Sequence, residues 1–302
     1  MEEVRRAGRA TTAQAARLSG SLRGALWMGG AVLSFSAMAI AARELLARMG
    51  IFEILAFRTG IAFLIVLAMV APAGLAALAT RRFGTHLWRN LVHLAGQACW
   101  VYAIALLPLA TVFAIEFTMP IWTAVLAALF LGERITRARA LMLALGFGGV
   151  LVILRPGLAV VQPGAVLALG ASFFYAAQMI ATKQLSRTDS PLAVLFWMSV
   201  IQTPVSAALA APAWVAPVAA DLPWLAAIGT GSYTAHYCLT RAMRVADAAV
   251  VTPVDFARLP LIAVVGAVFY GERFDPAVIL GAAMIFAGTW ASLRAERGRQ
   301  AL

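Results

Sequence analysis

Acidic residues are scarce: 13 Asp and Glu in 302 positions, against 24 Lys and Arg, with charged residues only 12% of the whole. A soluble globular domain carries about a quarter charged residues, so that class is excluded. Cysteine is almost absent. Cys99 and Cys238 both lie inside apolar runs, without metal-site spacing, and read as small packing residues. Three histidines, His86, His93 and His236, are too few and too scattered for a metal centre. No HExxH, GxSxG or Walker loop occurs, nor a dense cluster of carboxylates or cysteines. This removes the enzyme signatures and any nucleotide site, and it implies no cofactor. The formal charge of +11 does not indicate nucleic acid, because the arginines sit in short clusters between apolar runs rather than on one basic face. The first 23 residues, with Arg5, Arg6, Arg9, Arg17 and Arg23, lack an apolar core. They are expected to be an uncleaved, partly disordered basic tail rather than a secretory signal.

What the chain has in excess is apolar length. It is 63% hydrophobic, with a mean hydropathy of +0.88. Ten segments are long enough to cross a bilayer: 24–43, 51–71, 89–107, 110–131, 138–154, 164–184, 191–211, 223–243, 247–270 and 276–293. Lipid offers no hydrogen bonds to backbone groups, so each is expected to be a helix, making an all-α polytopic membrane protein. Leu107-Pro108-Leu109 barely separates the third and fourth segments and forces a hairpin. The connection from Pro72 to Trp88 is expected to lie flat at the interface. With alternating crossings, Arg43, Arg48, Arg155 and Arg273 fall on one side, Arg58 and Arg258 fall inside spans, and the remainder of the 24 fall on the other side. That bias places both termini in the cytoplasm, as a multi-pass protein of a bacterial inner membrane.

The chain also repeats itself. Gly271-Glu272-Arg273 echoes Gly132-Glu133-Arg134 at an offset of 272 − 133 = 139 residues. At that offset Glu116 falls on Asp255, Phe117 on Phe256 and Val112 on Val251, and at 140 Gly30 falls on Gly170 and Arg43 on Lys183. Spans one to five therefore match spans six to ten. Five is odd, so the second copy enters the membrane inverted, an arrangement that puts a binding site near the midplane between the halves. The division is a tail at 1–23, a first repeat at 24–157, a second at 158–295 and a C-terminal tail at 296–302.

Charges inside spans are expensive and mark function or register. Asp255 and Arg258 are three apart and pair along one helix, while Glu116 needs a partner from elsewhere, for which Arg58 is the natural candidate. These groups read either as ion bridges fixing register or as a gate with a protonatable carboxylate. Pro120 and Pro260 sit mid-span and bend their helices. His93, Gln97 and Trp100 share a face of span three, Tyr233, His236, Tyr237 and Thr240 a face of span eight, and Tyr175 and Gln178 a face of span six. Trp122 adds a wall in span four. Rings with amide, imidazole and hydroxyl groups suit a flat, amphipathic solute. Small residues at four-residue spacing, Ala140, Ala144, Gly148 and Ala283, Ala287, Ala291, are expected to let helices of one molecule approach closely.

Ten spans in two five-helix repeats, a Gly-Glu pair closing spans four and nine, and Arg155-Pro156-Gly157 after span five resemble the drug/metabolite transporter superfamily, specifically its EamA-type exporters. The resemblance covers about residues 23–295, and within the group the chain is most similar to bacterial YddG-type exporters of aromatic and other bulky amino acids. It implies a basket-like bundle around a substrate cavity lined by spans three, four, eight and nine, aided by one and six. It further implies alternating access with small-molecule cargo and the bilayer as partners, leaving monomer and dimer both open. A different cargo (a nucleobase, a sugar conjugate, a cationic drug) is the alternative within the class; an intramembrane enzyme or assembly factor is the alternative outside it. In the second repeat Leu259 rather than Pro260 aligns with Pro120, and Arg258 aligns with Met119, so strict functional symmetry is not expected.

Overall fold

A computed structural model describes residues 2–131, 135–155, 162–185, 188–246, 248–273 and 275–300, with the backbone alone at 2–19, 73, 131, 248–250 and 296–300. The described residues form twelve α-helices and no strand: α1 (Glu2–Leu45), α2 (Ile51–Ala73), α3 (Phe83–Leu106), α4 (Leu109–Glu116), α5 (Met119–Leu131), α6 (Arg137–Leu154), α7 (Pro163–Leu185), α8 (Pro191–Ala210), α9 (Leu222–Val245), α10 (Ala248–Phe256), α11 (Arg258–Tyr270) and α12 (Pro276–Gln300). Ten crossings thus become twelve helices, because spans four and nine are each broken.

The prolines account for the breaks. Pro120 has no N–H to offer the carbonyl of Glu116, and the helix stops there. Thr118 turns back, its N–H to the Ile115 carbonyl at 3.0 Å and its hydroxyl to the same oxygen at 2.7 Å. α5 then restarts with Pro120 in its first turn, where a missing N–H costs nothing. Arg258 likewise starts α11, with Pro260 two residues on.

Eight of the crossings are apolar enough to be recognised as spans by length and composition: 20–45, 51–72, 109–130, 137–154, 163–185, 191–213, 251–270 and 276–295. α3 and α9 do not qualify, because they carry the polar stripes. Packing shields them: α3 lies against α7 and α8, and α9 against α1 and α2. These contacts are mirrored between repeats, α1 with α9 as α7 with α3, while α2 pairs with α8 and α6 with α12. The connection expected at 72–88 is shorter, since α2 runs on to Ala73 and α3 begins at Phe83, with one 3₁₀ turn, Leu75–Leu78, between them. The close α6–α12 contact is made not by the stripe through Ala140 and Ala144, which is exposed, but by Gly149 and Gly281. A Cβ on either glycine would stand 2.5 Å from the other's carbonyl oxygen. Gly132, Glu133, Arg134, Pro156 and Gly157 lie outside the described residues.

Candidate functional site

Two polar clusters occupy the middle of the bundle. The first is built at the broken spans. Glu116, the last residue of α4, accepts a hydrogen bond from Trp100 Nε1 at 2.7 Å and lies 3.5 Å from Arg258 Nη1. Arg258 Nη2 reaches the two oxygens of Asp255 at 3.1 and 3.3 Å. The guanidinium also sits over the rings of Phe35, Phe113 and Phe117, 4.7, 5.1 and 5.1 Å from their centroids. The expected Glu116–Arg58 pair does not form. The break before Arg258 turns α11 onto α4, and this brings Arg258 to the carboxylate first. Beside the triad the repeat-related rings Phe117 and Phe256 stack, 4.1 Å apart and 15° from parallel.

The second cluster draws on α2, α3, α7, α8 and α9. The amide nitrogens of Gln97 and Gln202 approach His93 Nδ1 at 3.0 and 3.1 Å, and that of Gln97 lies 3.1 Å from His93 Nε2 as well. Gln97 also reaches Gln202 Oε1 at 3.4 Å, and Gln202 donates to the Asn90 carbonyl at 3.0 Å. The His93 ring lies 5.7 Å from Tyr175 and 6.2 Å from His236, and His236 lies 5.7 Å from Phe35. Arg89 donates to Thr182 Oγ1 at 2.6 Å and to Asn90 Oδ1 at 2.7 Å. Arg58 is 4% exposed and lies within electrostatic reach of His93, His236 and Tyr175, yet its Nε and Nη1 have no hydrogen-bond partner. Gln97 Oε1 is also buried without a partner.

The structure thus brings Gln97, Tyr175 and His236 together around His93, and places Trp100 at Glu116 in the first cluster. It sends the other stripe residues elsewhere. Tyr233 donates to Met69 Sδ at 2.6 Å and stacks on Tyr237, whose ring meets Trp27 at 5.8 Å beneath Arg241. Gln178 accepts from the Thr182 hydroxyl at 3.0 Å. Trp122 packs edge-on between Phe147 and Phe173.

His93, Gln97 and Gln202 are buried in the second cluster, Tyr175 and His236 are half-buried, and two concavities lie beside it. One of about 1040 Å³, lined by Pro260, Phe256, Ile153 and Phe286, opens toward Arg155, Glu272 and Asp275. Another of about 370 Å³, lined by Pro120, Thr123, Met142 and Ser292, opens at the opposite face near Lys183. Outside the spans, His86 Nε2 and Asp189 Oδ2 are 2.7 Å apart. Burial alone would raise the Asp189 carboxyl, but hydrogen bonds from Thr80, His86 and Thr188 hold it below the usual carboxylate range.

Gln202, Asn90 and Arg89 belong to the cluster and were not expected from the sequence. Arg89 was counted with the loop cations. Gln202 had a readable signal, since Ser199, Gln202, Thr203 and Ser206 follow the same i, i+3, i+4, i+7 spacing that marks α3.

Comparison with known proteins agrees with this architecture. The model of the EamA-like transporter family matches twice, at residues 22–155 and 162–294. The chain is 32% identical to a riboflavin transporter of Rhizobium johnstonii over 96% of its own length and 97% of the relative's. It is 31% identical to a riboflavin transporter of Vibrio cholerae, covering 92% and 97%. An S-adenosylmethionine uptake transporter of Rickettsia prowazekii is 26% identical, covering 91% and 94%. A crystal structure at 21% identity has the same fold, with a TM-score of 0.63 over 91% of this chain and 97% of that one. None of these names supports the narrower resemblance to YddG-type amino acid exporters. Two family matches, one on each half of a bundle whose helix contacts mirror each other, establish that the chain is a membrane transporter belonging to the EamA-like transporter family.

Proposed function

We propose that this protein moves a flat, ring-bearing metabolite by alternating access, with riboflavin as its cargo. The observation that carries the reading is the ring-walled, amide-bearing cluster at His93, where Tyr175, His236 and Gln97 converge. Such a site stacks an aromatic system and hydrogen-bonds its edge. Two relatives covering nearly the whole chain are named riboflavin transporters. The sequence holds no nucleotide motif, so flux follows a solute or ion gradient. The bias of basic residues supports a bacterial inner membrane with both termini in the cytoplasm.

One observation favours aromatic amino acids as a second reading. Tyr175 lies within electrostatic reach of both Arg58 and Glu116, as a zwitterion would require. Against it, both Glu116 oxygens are already engaged, one by Trp100 and one by Arg258. Purified protein in liposomes separates the two. Labelled riboflavin should exchange across the bilayer, and Q97A and W100A should slow it about tenfold or more at unchanged protein level. Y233A should be nearer wild type, since Tyr233 faces Met69. Exchange of phenylalanine without riboflavin would transfer the cargo to the amino acid reading, as would protection of expressing cells from toxic aromatic amino-acid analogues alone. Wild-type rates in Q97A and W100A would remove the α3 face from the path.

A further inference from the structure

Buried guanidiniums are normally paired, because an unmade hydrogen bond to a charged group in a dry interior is costly. Arg258 obeys this rule, with two carboxylates and three rings around it. Arg58 does not. It lies about 10 Å along α2 from the start of that helix, 4% exposed, with Nε and Nη1 unpartnered. Arg89, 6% exposed, is satisfied only by the neutral Thr182 and Asn90. No carboxylate is available to either among the described residues. Glu53, on the same helix as Arg58, is turned to the Val215 N–H at 3.3 Å, and Glu116 is held by Trp100 and Arg258. The groups between them, His93, Gln97, Gln202 and His236, supply no negative charge. The cluster has two further loose ends, the acceptor oxygen of Gln97 and the donor nitrogen of Asn90.

We propose that the unmade bonds of Arg58 and Gln97 are the cargo's: Arg58 Nε and Nη1 donate together to one carbonyl oxygen of an imide edge, and Gln97 Oε1 receives the N–H beside it. An imide presents acceptor, donor and acceptor in one plane. Two N–H groups of the rigid guanidinium fork converge on one of the oxygens, and a single amide oxygen takes the hydrogen next to it. The pyrimidine-dione edge of a flavin ring has this pattern, and a carboxylate has only half of it. Arg89 adds positive charge behind the site and disfavours cationic solutes. The assignment deepens the cargo reading above and rests on it for riboflavin, but it is stated for the ring edge and not for the whole molecule.

The test measures thermal stabilisation of the purified full-length protein, and competition for exchange in liposomes, by four solutes: riboflavin, N3-methylriboflavin, indole-3-propionate and tryptamine. Riboflavin should bind wild type about 10- to 100-fold more tightly than the N3-methyl compound, and tryptamine should not bind. R58Q should lose a similar factor for riboflavin and most of the N3-methyl discrimination, with R58K in between because it keeps the charge without the fork. Equal binding of the two flavins, or R58Q with the preference intact, would overturn the proposal; so would preferential binding of indole-3-propionate. Should R58Q not fold, the two flavins on wild type still decide. Lumichrome, which has the ring edge without the sugar-alcohol chain, separates the readings. If it binds with N3 dependence while riboflavin is neither bound nor carried, the cargo assignment fails and the imide subsite stands.

Discussion

At the scale of single residues, the charges inside the spans do different work according to what reaches them. Arg258 joins carboxylates from both repeats, so it is the residue whose loss leaves most unsatisfied: two acids at membrane depth with no cation. Glu116 is more dispensable. Glutamine can still accept from Trp100, and Arg258 keeps Asp255. R258M should therefore lower the melting temperature in detergent clearly more than E116Q, by the order of 2.5–3.5 kcal/mol for a charge stranded at the bilayer centre. Adding E116Q and D255N to R258M should recover much of the loss. Thermal melts of the four proteins check this, and E116Q melting below R258M would show that the carboxylate, not the arginine, holds the triad. The sequence made this triad half legible. Three-residue spacing showed the Asp255–Arg258 pair, but the partner of Glu116 depended on how α11 leans after its break, which no local pattern records. Arg58 and Arg89 were misassigned for a related reason: burial of a cation is set by the helices packed around it, here α8, α9 and α7, not by its neighbours in the chain.

At the scale of elements, hydrophobic length and the doubled motif were enough to find ten crossings and their pairing across an inverted repeat. The stripes of α3 and α9 were readable for the reason that makes those helices fail a hydropathy criterion. The breaks were not readable as breaks, because a proline in an apolar run is compatible with a kink or with two helices, and Thr118 decides the matter by bonding to the Ile115 carbonyl in the turn and to Ser172 of α7. Pro120 sits in the first turn of α5, so P120A should leave folded protein within about 1 kcal/mol while restoring a donor to the Glu116 carbonyl and encouraging α4 and α5 to fuse. Exchange per folded molecule should fall severalfold; equal loss of flux and folded protein would make the proline merely structural. The back of the bundle gives a different outcome. G149A places a methyl 2.5 Å from the Gly281 carbonyl oxygen, whereas G148A meets only the flexible end of Met284 at 3.1 Å. G149A should cost about 1–3 kcal/mol and reduce the monodisperse fraction in size-exclusion chromatography, and G148A should cost much less. Equal behaviour of the two would show that α6 and α12 can slide apart freely.

At the scale of the whole molecule, the two faces of the membrane are reached by different elements. The face away from the termini is stitched across the repeats. Arg43 of α1 lies 3.2 Å from Glu272, which also accepts the Leu109 N–H at 2.9 Å. Tyr270 donates to Glu44 at 2.7 Å, Arg48 lies 3.5 Å from Asp221, and Arg155 pairs with Asp275. The half-helices α4 and α11 close against each other beneath these contacts. Most of these pairs are partly wet and individually weak, and the alternating access proposed above would need this face to open around the midplane cluster. With Cys99 and Cys238 replaced by alanine, an R43C/E272C pair should therefore be bridged by a short bis-methanethiosulfonate cross-linker, which spans the room the two long side chains leave. The cross-linked protein should bind cargo with little change in affinity but exchange it at a small fraction of the reduced rate, recovering fully with reductant. A cross-linked protein that exchanged riboflavin at the reduced rate would show that cargo leaves by another route, of which the crevice along Pro260 and Phe286, already open on this same face, would be the first to block.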